Sequence, residues 1–357
     1  MIKVVLDCIV DPNSLEDEQI LNRLTRIQDL ASSLSLQCQF LVFTNCKSIY
    51  VENTGNTEVC FLNIPSNIIK RGLSVYRLKK MINKWAPDVI LHRGMLPYFK
   101  KQNNVLFIKS NECLNEYSSI KKIDPKKIYA ASGFIQQQLI HRYEIPLKKI
   151  DIIPFAIHPL YKKISWEHKE NIKANYSNGT EFFLYNHTPA LTEDFISILK
   201  AFSVFKKRLQ TGMKLLIPSG LSSLNKNSSE LLETYRYKED VLFTGTISME
   251  QLAELTAAAY AVINNGEKEA HSQLQDIIQC SVPVLILQPE GWVKDELFFE
   301  YADTSSAEEV AGKLMLLYKD EKHRNQLINS SQQLLTQFSR EATAKTFHEA
   351  LLRTVAE

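Results

Sequence analysis

No apolar run in the 357-residue sequence approaches the roughly 18 residues needed to cross a bilayer. The opening MIKVVLDCIV lacks the layout of a signal peptide and reads as a first buried strand. Paired cysteine spacing is missing too. Cys8, Cys38, Cys46, Cys60, Cys113 and Cys280 are scattered without a CxxC, and most fall in or beside apolar strands. That argues for free buried thiols in a reducing cytoplasm rather than disulfides or zinc. There is no excess of either charge: a formal net charge of +2 gives no basis for a nucleic-acid partner. No carboxylate or histidine cluster has metal-ligand spacing, so no metal is implied. Internal repeats and low-complexity tails are absent.

What is present is length and alternation. A chain of 357 residues is too long for one ordinary core and fits two domains. Strand-like and helix-like segments alternate almost throughout, which predicts parallel sheets covered on both faces. Strands are expected at 2–10, 38–43, 59–64, 89–91, 105–108, 127–130 and 149–153. Ser14 and Asp17 form a capping-box pattern before a helix carrying Ile20, Leu21, Leu24, Ile27, Ala31 and Leu34 on one face. Helices are also expected at 72–85, stopping before Ala86-Pro87, and at 132–143.

Pro154-Phe155-Ala156-Ile157-His158-Pro159 breaks the alternation and reads as a linker. A second series follows, with strands at 181–185 and 213–217 and a helix at 192–209. Residues 241–286 then read as strand, turn, helix, strand, acidic loop, helix and strand. Helices near 305–318, 320–337 and 339–356 finish the chain. The expected domains are 1–155, 156–338 and a C-terminal helix at 339–357 packing back toward the first.

Several segments together resemble the GT-B glycosyltransferases of the family 4 type (glycosyl transferases group 1). HRYEIPLKKIDIIPFAI (141–157) resembles the element that ends the first domain there, and 182–220, with Ile198-Leu199-Lys200-Ala201-Phe202, the one that opens the second. Val241-Leu242-Phe243-Thr244-Gly245 resembles the strand before the nucleoside loop. Cys280-Ser281-Val282-Pro283-Val284 resembles the family's Cys-Gly-x-Pro-Val. The resemblance implies an α/β GT-B fold: two Rossmann-like βαβ domains facing a cleft, with C-terminal helices closing the chain. It also implies a nucleotide sugar as donor substrate, no separate cofactor, and a glycan or lipid-linked acceptor. The site implied is cytoplasmic, with peripheral placement at the inner membrane face as its extension.

The residues that should carry the chemistry depart from that family. Negative charge grows on the leaving diphosphate, so cations or N–H groups must face it. Where the family has an Arg or Lys after the first strand of the second domain, Thr192 and Glu193 stand here, and the next basic position reads Pro218-Ser219-Gly220. The family's two glutamates, with seven residues between them, align with Lys268 and Asp276, with Glu267 and Glu269 flanking the first and Ala270-His271-Ser272 replacing a glycine turn. In the first domain, Asp11-Pro12-Asn13-Ser14 replaces a glycine-containing loop and Lys109-Ser110 a His-Asp pair.

Two functional readings follow. In the enzyme, Glu267 or Glu269 is the catalytic-side acid contacting the donor sugar. Asp276 holds the ribose, and backbone near Gly220 and Gly266 meets the phosphates. Asn186, His187, Ser219, Gly245, Asn265 and His271 complete the donor side, with His92, Arg93 and Lys109 toward the acceptor. In the alternative, the chain is a non-catalytic scaffold that pairs with another glycosyltransferase or holds a glycan. Lys206-Lys207-Arg208 ends a helix, where cations complement the dipole. For Lys79-Lys80 and Lys100-Lys101 the alternatives are a weakly basic acceptor-side or membrane-facing patch and ordinary surface, of which ordinary surface is preferred, and no amphipathic basic helix stands out.

Overall fold

The computed structural model describes residues 1–8, 34, 37–44, 56–62, 68–92, 103–108, 125–154, 157–186, 192–220, 224, 226–265, 274–288 and 298–356. The chain divides into two compact units, Met1–Ala156 with Gln337–Glu357, and Ile157–Thr336.

The first unit is built on seven strands: β1 (Ile2–Cys8), β2 (Cys38–Thr44), β3 (Thr57–Phe61), β4 (Val89–His92), β5 (Asn103–Ile108), β6 (Lys127–Ala130) and β7 (Ile150–Ile152). Their order is β3-β2-β1-β4-β5-β6-β7, and every pair is parallel. Parallel strands need crossovers, so each must be covered on both faces and reads as a near-continuous apolar run. The alternation of side chains divides that run cleanly. Val4, Leu6, Phe40, Val42, Val89 and Leu91 pack with Ala344, Phe347, Ala350 and Leu351 of the C-terminal helix. Val5, Leu41, Phe43 and Ile90 pack on the other face with Leu78 and Ile82 of α1 (Ile68–Trp85). Helix α2 (Gly133–Tyr143) is N-capped by Ser132, whose side chain accepts from the Ile135 N–H.

The C-terminal helix belongs to this first unit. Tyr129 shares a 2.8 Å hydroxyl–hydroxyl hydrogen bond with Thr354, Lys126 Nζ donates to the Thr354 carbonyl at 2.9 Å, and Arg353 pairs with Asp151 at 2.9 Å.

The second unit holds α3 (Trp166–Ser177), β8 (Phe182–Tyr185), α4 (Thr192–Leu209), β9 (Lys214–Ile217), α5 (Lys226–Thr234), β10 (Val241–Phe243), α6 (Met249–Ala258), β11 (Ala261–Asn265), α7 (Leu274–Gln279), β12 (Val284–Gln288), β13 (Glu300–Asp303), α8 (Ala307–Lys319) and α9 (Glu321–Gln332). Helix α10 (Arg340–Ala356) ends the chain. The second sheet runs β10-β9-β8-β11-β12-β13, again wholly parallel.

On one face α4 inserts Phe195, Ile198, Leu199, Phe202 and Phe205, a stripe at helical spacing. Phe205 meets Phe183 edge-on at 5.2 Å and Tyr318 at 5.6 Å. On the other face, Leu274, Ile277 and Ile278 of α7 pack with Val262, Val284 and Ile286. Burial raises two thiols: Cys38, in the core of the first unit, is pushed up to about 11, and Cys280, in the core of the second, to about 12. Alkylating the native protein at mildly alkaline pH should therefore leave Cys38 and Cys280 unmodified, while denatured protein reacts at both; peptide mass mapping reads the difference.

Three described elements were not expected from the sequence: α3, α5 and β13. Helix α3 buries only Ile172 among its apolar side chains, so it carries little amphipathic signal. β13 is a four-residue edge strand, EYAD. Helix α1 begins at Ile68 rather than at residue 72, β3 spans Thr57–Phe61 rather than 59–64, and the last long helical stretch is divided into α9 and a 3₁₀ turn at Leu335–Phe338. The capping-box helix expected after Ser14 lies outside the described residues.

Candidate functional site

In the second sheet, strand order reverses direction between β8 and β11: β9 and β10 lie to one side, β12 and β13 to the other. Ligands of open parallel sheets bind outside the carboxyl ends of the strands at such a reversal. Asn186 follows β8, Ser219 and Gly220 follow β9, Gly245 follows β10, and Asn265 ends β11. Five residues singled out from the sequence thus come to one end of four adjacent strands.

Backbone bonds tie them together. Asn186 N–H donates to the Ile263 carbonyl at 3.0 Å, fixing the exit of β8 on β11. Gly245 N–H donates to the Ser219 carbonyl at 3.2 Å, and Thr244 N–H to the Ile217 carbonyl at 3.1 Å, joining the exits of β9 and β10. Gly245 has φ +77°, a left-handed backbone that an L side chain would strain.

Exposure sorts the five. Ser219, Gly220 and Gly245 are partly open to solvent, whereas Asn186 and Asn265 are buried, Asn265 completely. The accessible lip of this sheet end is thus made of small residues and backbone. Pro218-Ser219-Gly220 supplies no cation, and the lip carries only neutral polar groups among the described residues.

Asp276, on α7, is 1% exposed. Its Oδ1 accepts the backbone N–H of His158 at 2.9 Å. His158 is the second residue of this unit and opens a short turn: Tyr161 N–H donates to the His158 carbonyl at 3.0 Å and Leu160 N–H to His158 Nδ1 at 3.3 Å. In the described geometry the carboxylate expected to hold a ribose fastens the entry of the chain into the second unit. Asn264 on β11 and Gln275 on α7 are also buried, and Asn264 Nδ2 and Gln275 Oε1 find no hydrogen-bond partner among the described residues. Sequence reasoning passed over both. The signal was two consecutive asparagines closing the otherwise apolar strand Ala261–Asn265.

Ser281 follows α7 with φ +59°. The left-handed backbone accounts for the glycine that the resembling family carries at this point, since a Cβ costs about 1 kcal/mol there. Ser281→Gly should raise the stability of the second unit by roughly 0.5–1 kcal/mol, after allowing for the freer unfolded chain; a urea midpoint measures it.

Glu267, Glu269, His187, Gly266, His271, Arg93 and Lys109 lie outside the described residues, as do Lys268, the first-domain loop at 11–14 and Lys100-Lys101. His92 ends β4 at the carboxyl side of the first sheet, next to the strand reversal between β1 and β4. Among the described residues no group of histidine, cysteine and carboxylate side chains could hold a metal.

Residues 168–334, within the second unit, match the model of the family described as glycosyl transferases group 1. No curated protein sequence matches the chain. Solved structures do. Anabaena Alr3699/HepE, in complex with UDP-glucose, is 12% identical with a TM-score of 0.76, over 99% of this chain and 100% of that one. The sucrose-phosphate synthase (tll1590) from Thermosynechococcus elongatus is 14% identical with a TM-score of 0.74, over all of both chains. A glycosyltransferase from Rickettsia africae ESF-5 is 12% identical with a TM-score of 0.73, over 99% of this chain and 98% of that one. Identities this low carry the fold, which is GT-B: two parallel-sheet α/β units with C-terminal helices.

Proposed function

We propose that the chain is a glycosyltransferase of the family 4 type that takes a hexose from a nucleotide sugar and passes it to a glycan or lipid-linked acceptor, in the building of a surface polysaccharide or glycoconjugate. The observation that supports this most is a coincidence of place. The stretch matching the glycosyl transferases group 1 model ends in the same unit whose strand reversal gathers Asn186, Ser219, Gly220, Gly245 and Asn265. In this reading the partly open backbone at Ser219, Gly220 and Gly245 receives the nucleotide. Glu267 or Glu269 addresses the sugar, with His187, Gly266 and His271 beside it, and His92, Arg93 and Lys109 serve the acceptor. A lipid-linked acceptor would put the chain at the periphery of the inner membrane face.

The departures from the family bear on rate. One preorganised charge partner at a developing anion is worth about 10²–10³ in turnover. A chain with Thr192, Glu193 and Ser219 where cations are usual should turn over a nucleotide sugar slowly.

A second reading, a non-catalytic GT-B scaffold that partners an active glycosyltransferase or holds a glycan, draws support from Asp276, whose carboxylate is committed to the His158 N–H.

Thermal denaturation with UDP, GDP and ADP separates the two readings, because only the transferase requires a nucleotide. A ligand at 100 times its Kd should add about 2.7 kcal/mol of stability. A shift with one of the three is the expected result, and no shift with any of them contradicts nucleotide-sugar use. Release of nucleotide from the matching sugar donor, lost in Glu267→Gln or Glu269→Gln, then favours the enzyme; tight binding without release favours the scaffold.

A further inference from the structure

Leu34 and Gln37, just ahead of β2, line a cavity of about 560 Å³ together with one flank of α10. The described residues around it all belong to the first unit. The Leu34 carbonyl accepts the N–H groups of Gln37 and Cys38, both at 2.9 Å, and the Gln37 carbonyl accepts the Ile2 N–H at 3.2 Å. These bonds fix the cavity wall at the amino ends of β1 and β2. His92, by contrast, ends β4 at the carboxyl edge of the same parallel sheet.

Helical spacing brings Arg340, Ala344, Lys345 and His348 to that flank, within an arc of roughly 140°. Phe347, Ala350 and Leu351 of the same helix fill the core beneath. Leu34 and Ala344 are buried and give the cavity apolar wall, while Arg340 and Lys345 are exposed and His348 is half-buried. Lys345 and His348 make no ion pair with a described residue, so their N–H groups face water or a ligand. One carboxylate, Glu341, also lines the cavity; it stands in the first turn of α10, where it complements the helix dipole. Two permanent cations against one carboxylate leave the lining positive before His348 is counted. Among the described residues no Phe, Tyr or Trp lines it, so nothing there offers a nucleobase a stacking face.

We infer that this cavity binds a small, water-soluble phosphate monoester with an aliphatic or polyol body. Such an anion carries a charge of roughly −1.5 to −2 at pH 7 and three acceptor oxygens. Arg340 and Lys345 meet the phosphate, the first by a planar fork and the second by a point charge. The Gln37 amide and the His348 ring supply hydrogen bonds to hydroxyls of the body, whose carbon skeleton lies on Leu34 and Ala344. A volume in the range of small-molecule sites gives room for more than a bare phosphate. The positive lining selects an anion, and the missing aromatic face selects a sugar- or glycerol-like phosphate over a nucleotide. None of this depends on the second sheet: a chain that bound the monoester but no nucleotide would lose the transferase reading and keep this one.

Calorimetric titration of the full chain with glucose 6-phosphate, glycerol 3-phosphate, glucose and inorganic phosphate tests it. At least one of the two monoesters should bind, more tightly than inorganic phosphate, with an affinity that falls as salt rises; glucose should not bind. Lys345→Gln should weaken the monoester roughly 10- to 100-fold, the range for one hydrogen bond to a charged group. Glu341→Gln removes the opposing charge and should tighten binding several-fold, a gain that misfolding does not produce. Lys322→Gln takes the same charge from an exposed site on α9 in the second unit and should leave binding unchanged. Lys345 and Glu341 are exposed, so melting of both variants should match the parent protein. No binding of either monoester, full binding by a folded Lys345→Gln, or an equal loss in Lys322→Gln overturns the assignment. So does inorganic phosphate binding as tightly as the monoesters, which would leave an adventitious ion only.

Discussion

Lys206→Met should destabilise the second unit by about 3 kcal/mol, among the largest single effects its described geometry predicts. Lys206 closes α4 with only 6% of its surface exposed. Its ammonium donates to the Thr211 carbonyl at 2.5 Å, to the Met213 carbonyl at 3.1 Å, and pairs with Asp240 at 2.8 Å. Methionine keeps the stem and its packing near Phe202, so the loss isolates the charge and its three partners. The terminal ammonium thus does more than complement the helix dipole: it pins the chain between α4 and β9 to the turn before β10. Lys214 reaches the other oxygen of Asp240 at 2.6 Å.

Burial alone would raise the Asp240 carboxyl, but hydrogen bonds and charge from Lys206 and Lys214 outweigh it and hold it below its ordinary 3.8. A depressed folded value means the stabilisation is complete above 3.8 and is lost as pH falls through the folded value. In Lys206→Met that acid-side loss should shrink. Hydrogen exchange at β8 and β9, which belong to this unit alone, reads both effects without interference from the first unit. Unchanged protection of those amides in the variant would show that the network is dispensable.

Asp276→Ala should cost about 2–3 kcal/mol, because it removes a charged acceptor and leaves the buried His158 N–H without that bond. Asp276→Asn retains an oxygen at the same reach and should cost about half as much. Exchange at the His158, Leu160 and Tyr161 amides should rise in the alanine variant and much less in the asparagine variant. A ribose-holding role predicts a different pattern: weaker nucleotide binding in both variants, with exchange at 157–161 unchanged. The two roles are separable in one pair of proteins.

The frame was readable from the sequence for a definite reason. Strands such as Phe182–Tyr185 and Ala261–Asn265 are buried on both faces, so they appear as short apolar runs between helices, and the alternation fixes a parallel sheet. Proline and glycine marked boundaries correctly at Ala86-Pro87 and at Gly245. What was hidden depended on partners far apart in sequence. Nothing near Asp276 indicates that its carboxylate meets an amide 118 residues away. Neither does the spacing of Lys206 reveal that it meets Asp240 rather than solvent. Helix α1 starts four residues before its expected position, since Pro65-Ser66-Asn67 just ahead of Ile68 reads as loop.

In the proposed function the sheet end around Ser219, Gly220 and Gly245 receives a nucleoside, with no cation among the described residues of that lip to meet its phosphates. Calorimetric titration with uridine and UDP, or with the nucleoside and diphosphate of whichever base the melting screen selects, tests it directly. Dissociation constants within a few-fold of each other, with little dependence on salt, are the expected result. A diphosphate that bound on the order of 100-fold more tightly than its nucleoside, with an advantage that salt erased, would mean that charged partners reach the phosphates after all.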